Sequence, residues 1–207
     1  MIVPYTEETL GHAAKLISNG GVIAFRTDTF YGLGAHPLSA EAIGRIRDLK
    51  GRDENKPILL LIGDASDVDH LIIEKSEDFE VVARSFWPGP LTLIGRADIK
   101  LPDELTAGTG TVGLRLPNDE NVRVLVRICG GALTATSANL SGSSPARSAE
   151  EVADYFPTGI DLIINGGDVV AATEPSTVLD LSQAEPRVIR EGAISQKMLE
   201  GVLGVAL

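Results

Sequence analysis

The chain has 207 residues, 43% apolar and 23% charged, with a formal net charge of −11, which bounds it to one ordinary globular core or at most two small ones. Its 18 Lys and Arg against 29 Asp and Glu weigh against a broad nucleic-acid-binding face, which needs a basic footprint. The single Cys129 cannot close an internal disulfide, the opening "MIVPYTEET" lacks the regions of a secretory leader, and no apolar run approaches a membrane span, so a cytoplasmic protein without membrane association is expected.

In chain order, Thr6 is placed to cap a helix whose Leu10, Ala13, Ala14 and Ile17 share one face, ended by Asn19-Gly20-Gly21. A strand over 22–25 follows, then a polar loop, "RTDTFYGLG", over 26–34. Ser39 opens a second helix with Ile43, Ile46 and Lys50 on one side, and Gly51 stops it. Residues 57–62 read as a buried strand. Ser76 caps a helix bearing Phe79, Val82, Ala83 and Phe86, broken by Trp87-Pro88-Gly89-Pro90. Strands are expected at 91–95 and 112–116. Between them and a strand at 132–136, the stripe Val122, Leu125, Val126 and Cys129 marks a helix, with Cys129 a small buried apolar residue rather than a reactive thiol. Ser148 and Glu151 match a capping box, and strands close the series at 162–164, 177–181 and 188–190. Alternation of this kind, with no linker and no repeat, predicts a single α/β domain over 1–207 around a twisted mixed sheet.

Several familiar motifs fail. Gly108-Thr109-Gly110-Thr111-Val112-Gly113 satisfies G-x-G-x-x-G but precedes a strand, whereas the dinucleotide fingerprint must follow a strand and open a helix. There is no Walker sequence and no G-x-S-x-G elbow, and His12, His36 and His70 lack companions at metal-ligand spacing, so no metal site is expected. What remains is a set of polar clusters just after predicted elements: Arg26 to Tyr31; Lys50-Gly51-Arg52 with Lys56; Thr111 to Arg115; Ser137-Ala138-Asn139 with Ser141-Gly142; Pro175-Ser176-Thr177; and Arg190-Glu191-Gly192. Singly, each has a plain structural reading, such as helix-terminal cations or turn residues. Jointly, cations beside small hydroxyl residues at element ends suit the oxygens of phosphate and carboxylate. The residues alone therefore point to a small anionic, nucleotide-like ligand held without a P-loop.

These same stretches resemble the YrdC-type threonylcarbamoyl-AMP synthases over nearly the whole chain. Thr27-Asp28-Thr29-Phe30-Tyr31-Gly32-Leu33-Gly34 is similar to that family's T-[DE]-T-x-Y-G-L-G, Lys50-Gly51-Arg52 to K-x-R, and Trp87-Pro88-Gly89-Pro90-Leu91-Thr92 to W-P-G-P-x-T. Thr111 to Pro117 is similar to T-V-x-x-R-x-P, Ser137 to Gly142 to S-A-N-x-S-G, and Ser176-Thr177-Val178-Leu179-Asp180 and Arg190-Glu191-Gly192-Ala193 to the late S-T-V-x-D and R-x-G-A signals.

The resemblance implies a twisted α/β sheet with a concave, charged cavity. It implies a synthase that makes threonylcarbamoyl-AMP and pyrophosphate from L-threonine, bicarbonate and ATP, with magnesium, for a partner transferase complex that modifies tRNA. By motif position, Thr29, Arg115 and Ser176 would contact threonine with Ala135 lining that pocket. Arg52, Lys56, Thr111, Ser137, Ser144 and Arg190 would face ATP, while Lys50 and Arg52 would act at the phosphates and Asn139 would shape the ATP site. No protein nucleophile is needed, and the enzyme need not grip tRNA. The departures are Arg26 where the family usually has proline, which fits a tolerated strand end, and Leu61 where relatives often carry histidine. The short stretch after Gly192 is expected to leave no room for the C-terminal domain of longer relatives. Rival readings are a double-stranded RNA or tRNA-binding protein of the same fold, a carbamoyl-adenylate enzyme of hydrogenase maturation, which needs C-x-x-C zinc motifs, and a degenerate relative without activity.

Overall fold

The computed structural model describes residues 1–51, 56–169 and 174–207. Its strands are β1 (Ile2–Pro4), β2 (Ile23–Arg26), β3 (Tyr31–Gly34), β4 (Leu59–Ile62), β5 (Leu91–Arg96), β6 (Thr111–Arg115), β7 (Ala132–Ser137), β8 (Leu162–Asn165), β9 (Thr177–Asp180) and β10 (Arg187–Arg190). Its helices are α1 (Glu7–Ser18), α2 (Ala40–Leu49), α3 (Glu77–Phe86), α4 (Asp103–Thr106), α5 (Glu120–Ile128), α6 (Ala149–Tyr155) and α7 (Gln196–Leu203). The strands form one mixed sheet in the order β1-β8-β2-β3-β7-β4-β6-β5-β9-β10. In it β7 runs antiparallel to both β3 and β4 and joins two halves that hold parallel pairs such as β2 with β8 and β4 with β6.

The helices start where the hydroxyl caps predict. Thr6, Ser39, Ser76 and Ser148 accept the amides of Thr9, Ala42, Phe79 and Glu151, filling donors that the first helical turn leaves open. The expected capping box at Ser148 is only half made, because the Glu151 carboxylate accepts the Arg147 amide at 2.8 Å. Four short elements, β1, β3, α4 and α7, are not legible from periodicity. The largest revision concerns 26–34: instead of one polar loop, β2 and β3 pair as an antiparallel hairpin, with Phe25 opposite Gly32 and Ile23 opposite Gly34.

Side-chain alternation sorts the sheet into two faces. Val22, Ala24, Leu60, Ile62, Leu93, Val112, Leu114 and Leu179 enter one core with α2, α3, α6 and α7. Ile23, Phe25, Leu61, Leu133, Ala135, Leu162 and Ile164 enter the other, beneath Leu10, Ala13 and Ile17 of α1 and Val122, Leu125 and Val126 of α5. Cys129 lies in this second core, as its stripe predicts, and burial pushes its thiol up to about 12. The strands beyond β4 on this second face carry Thr92, Ile94, Thr111, Gly113, Arg115 and Val178 at alternate positions, and these side chains line an open cleft.

Candidate active site

The cleft has a volume of about 670 Å³, within the range of small-molecule sites. Its floor is the sheet face itself: Thr92 and Ile94 from β5, Thr111, Gly113 and Arg115 from β6, and Ala135 and Ser137 from β7. Much of the site therefore stands on strands, not only on the loops that follow them. The i, i+2 spacing of Thr111, Gly113 and Arg115 aims all three positions at one side. Gly113 keeps the floor low, since a Cβ there would meet the Thr92 methyl at 3.1 Å. Three cations, Lys56, Arg115 and Arg190, line the cleft, and no carboxylate does among the described residues.

The hairpin turn supplies one wall. Thr27 closes it: its hydroxyl donates to the Phe30 carbonyl at 2.6 Å and accepts the amides of Thr29 and Phe30. Asp28 turns away to pair with Arg115, while Thr29 and Phe30 face the cleft. Gly32 and Gly34, inside the stretch read as a loop, lie within β3. A Cβ on Gly34 would stand 2.7 Å from the Phe25 ring, so this glycine permits close packing rather than a turn. Tyr31 is fully buried, and its hydroxyl donates to the Gly167 carbonyl at 3.0 Å, fastening the loop after β8. Arg26 pairs with Asp119 at 2.8 Å, and Asp119 also caps α5 through its other oxygen. The arginine at the head of the turn thus serves the protein's own packing.

Arg115 is 5% exposed. Its Nε donates to the Gly89 carbonyl at 3.2 Å and its Nη2 to Asp28, leaving Nη1 without a partner among the described residues. Burial lowers its pKa, the Asp28 carboxylate opposing and Arg190 adding to the effect; a guanidinium keeps its charge regardless. Across the floor, Arg190 holds the Ser176 carbonyl with Nε at 3.1 Å and Nη2 at 2.7 Å. Gly192 lies against this turn so closely that a Cβ would stand 2.1 Å from the Pro175 carbonyl oxygen, and its amide donates to the Thr177 hydroxyl. The R-x-G-A stretch therefore braces the Pro175-Ser176-Thr177 stretch.

Of the residues expected at the site, Thr29, Lys56, Thr111, Arg115, Ala135, Ser137, Ser176 and Arg190 meet on the cleft. Arg52 lies outside the described residues. Ser144 is exposed beside Pro145, which does line the cleft. Lys50 and Asn139 are not on its surface. Lys50 is 2% exposed, and its ammonium donates to the carbonyls of Ser137 and Asn139 and to Asn139 Oδ1. The Asn139 amide nitrogen donates to the Leu140 and Ser143 carbonyls. These two residues hold the loop after β7 from behind. Sequence reasoning missed the apolar lining, including Phe30, Ile94, Val178 and Ile189. On β10, an edge strand, Ile189 is 50% exposed, but one such residue in four cannot be told from core by pattern alone. Leu61 borders a narrow annex of about 90 Å³ with Gly32, Leu59 and Ala135.

Residues 15–192 match a family model for Sua5, YciO and YrdC proteins, described as telomere recombination. The chain belongs to this Sua5/YciO/YrdC family. Within it, the chain is 38% identical over 192 residues to a threonylcarbamoyl-AMP synthase of Pyrococcus abyssi and 36% identical over 197 residues to one of Bacillus subtilis. These alignments cover 93% and 94% of the chain but only 56% of each relative, so the chain spans little more than half their length. The crystal structure of P. abyssi Sua5 complexed with L-threonine superposes with a TM-score of 0.91 at 35% identity, covering 99% of this chain and 61% of that one. The fold is thus that of the Sua5/YciO/YrdC family.

Proposed function

We propose that the chain is an L-threonylcarbamoyl-AMP synthase. The observation that carries this reading is Arg115, which lines the cleft with Lys56 and Arg190 and is anchored by Gly89 and Asp28, one guanidinium nitrogen being without a partner among the described residues. The relatives named as this synthase and the threonine-bound neighbour support it.

In this reading the threonine amine attacks bicarbonate-derived carbon to give a carbamate and water. A carbamate oxygen then attacks the ATP α-phosphorus, and the bond to the bridging oxygen breaks to release pyrophosphate. Two anions must be held together, which fixed cations and donors accomplish without a protein nucleophile. Arg115 and Ser176 would take the threonine carboxylate, Thr29 its hydroxyl, and Ala135 the floor beneath it. Lys56, Thr111, Ser137 and the remaining Arg190 donor would face the phosphates, with Ser144 and Arg52 assigned there by motif position. Lys50 and Asn139 become positioning residues for Ser137. Among the described residues no three His, Cys, Asp or Glu gather as a resident metal needs, so magnesium is taken as part of the ATP substrate. Among them, too, no helix is long and apolar enough to cross a membrane. A cytoplasmic setting, and delivery of the adenylate to a separate tRNA-modifying transferase, complete the proposal.

The test is pyrophosphate release from ATP and magnesium with threonine and bicarbonate omitted in turn. Release that needs both is expected. Release indifferent to threonine would overturn the reading.

A further inference from the structure

Arg147 lies two residues beyond Pro145, which lines the cleft, and its guanidinium carbon stands over the Phe30 ring, 5.7 Å from the centroid. Phe30 itself faces the cleft, so Arg147 sits at the rim. A ring meets the charge of a cation but supplies no oxygen to its N–H groups. Those groups have no hydrogen-bond or ion-pair partner among the described residues. The Glu151 carboxylate accepts the Arg147 backbone amide, at 2.8 Å, and not its guanidinium.

The backbone that carries this side chain is fixed on both sides. The Ala146 amide donates to the Ala138 carbonyl at 3.0 Å, and the Ala146 carbonyl accepts the Tyr31 amide at 2.9 Å. The Arg147 carbonyl accepts the Val169 amide at 2.8 Å. Ring and guanidinium therefore stand on two segments that are hydrogen-bonded to each other, next to Phe30 itself. A cation held in this way has less freedom to lose on meeting an anion than one on a loose surface chain.

The cations inside the cleft are partly spent. Arg115 is paired with Asp28, and Arg190 commits two nitrogens to the Ser176 carbonyl. When the carbamate oxygen attacks the α-phosphorus, the electron pair of the breaking bond goes to the departing pyrophosphate, and fixed donors are needed where that charge gathers. The α-phosphorus belongs over the floor beside the carbamate, so a cation at the rim beyond Phe30 meets the part of the nucleotide that leaves. We propose that Arg147 binds the pyrophosphate end of ATP, with Phe30 as its positioning residue. The inference rests on the synthase reading and deepens it. A guanidinium only donates, and its planar fork matches the charged oxygens of a phosphate two at a time.

Calorimetric binding of inorganic pyrophosphate, ATP and AMP to the whole chain, with magnesium present, tests this. Arg147→Gln is expected to weaken pyrophosphate and ATP about tenfold, the size of one charge-assisted hydrogen bond, and AMP by less than about twofold. Arg147→Lys keeps the charge without the fork and should weaken pyrophosphate about threefold. Phe30→Leu should also cost pyrophosphate about threefold, while Phe30→Tyr, which keeps the ring, stays within about twofold of the wild type. Because Phe30 acts through Arg147, adding Phe30→Leu to Arg147→Gln should cost pyrophosphate nothing further, which a general effect on the cleft wall would not produce. In turnover, Arg147→Gln should raise the ATP KM and leave the threonine KM in place. Pyrophosphate affinity unchanged in Arg147→Gln, AMP weakened as much as pyrophosphate, or penalties that add in the double variant overturn the proposal while leaving the synthase reading intact. A wild-type chain that binds neither ATP nor pyrophosphate overturns both.

Discussion

Two regions bury a cation, and they do so in opposite ways. Lys50 is withdrawn behind the loop after β7, with its ammonium on three carbonyl oxygens. Arg115, a residue that lines the cleft, is buried almost as deeply, yet two of its three nitrogens are tied down and the third has no partner among the described residues. Burial alone would rank the two together. What separates them is the donor that the protein does not use: a cation whose donors are all engaged holds structure, and one with a donor to spare can hold a ligand.

The sharpest way to break this comparison is Arg115→Lys, which keeps the charge and loses the fork. Threonine-dependent kcat/KM should fall about a thousandfold while the fold survives; a loss below about tenfold would place Arg115 with Lys50. The converse is Lys50→Met. Here a stability loss of about 3 kcal/mol in urea unfolding is expected, with pyrophosphate release per folded molecule reduced less than in Arg115→Lys. Gly192→Ala probes the brace beneath Ser176. With only 2.1 Å available to a methyl, the Pro175-Ser176-Thr177 stretch must shift, and the threonine KM should rise about tenfold with a smaller change in kcat.

Asp28→Asn sharpens the picture further by leaving Arg115 a neutral partner, for an expected loss of about fivefold in threonine affinity. Smallest of all is Cys129, remote from the cleft. Its folded pKa lies above the ordinary 9.0, at about 12, so its contribution is whole below pH 9 and is lost as pH rises toward 12, where the unfolded chain has released its proton first. Cys129→Val should flatten that alkaline decline and leave activity at neutral pH unchanged.

Much of the fold and of the site can be read directly from the amino-acid order. Thr6, Ser39, Ser76 and Ser148 announce their helices because a capping hydroxyl is a local signal that needs no tertiary partner. Thr29, Arg115 and Ser176 are grouped by the motifs that resemble the synthase family, not by residue type or spacing alone, and the fold brings all three to one cleft. The misreadings share a cause. Gly32 and Gly34 look like turn residues because the partner that forbids a side chain, the Phe25 ring for Gly34, sits across a strand pair. Lys50 looks like a phosphate ligand because the carbonyls that occupy it lie beyond residue 136.

The strand order has one more consequence. Ile2 pairs with Ile163, and Leu91 with Thr177, so β1 must wait for a partner about 160 residues further along the chain. Sheets assembled from such distant partners must close long loops before any contact rewards them, and they fold slowly. Helices such as α2 and α3 can form early from local signals, but Thr29, Arg115 and Ser176 meet only when the last strands have joined. Refolding should therefore regain helical signal first and threonine binding last, with the cleft as the closing event of the folding reaction.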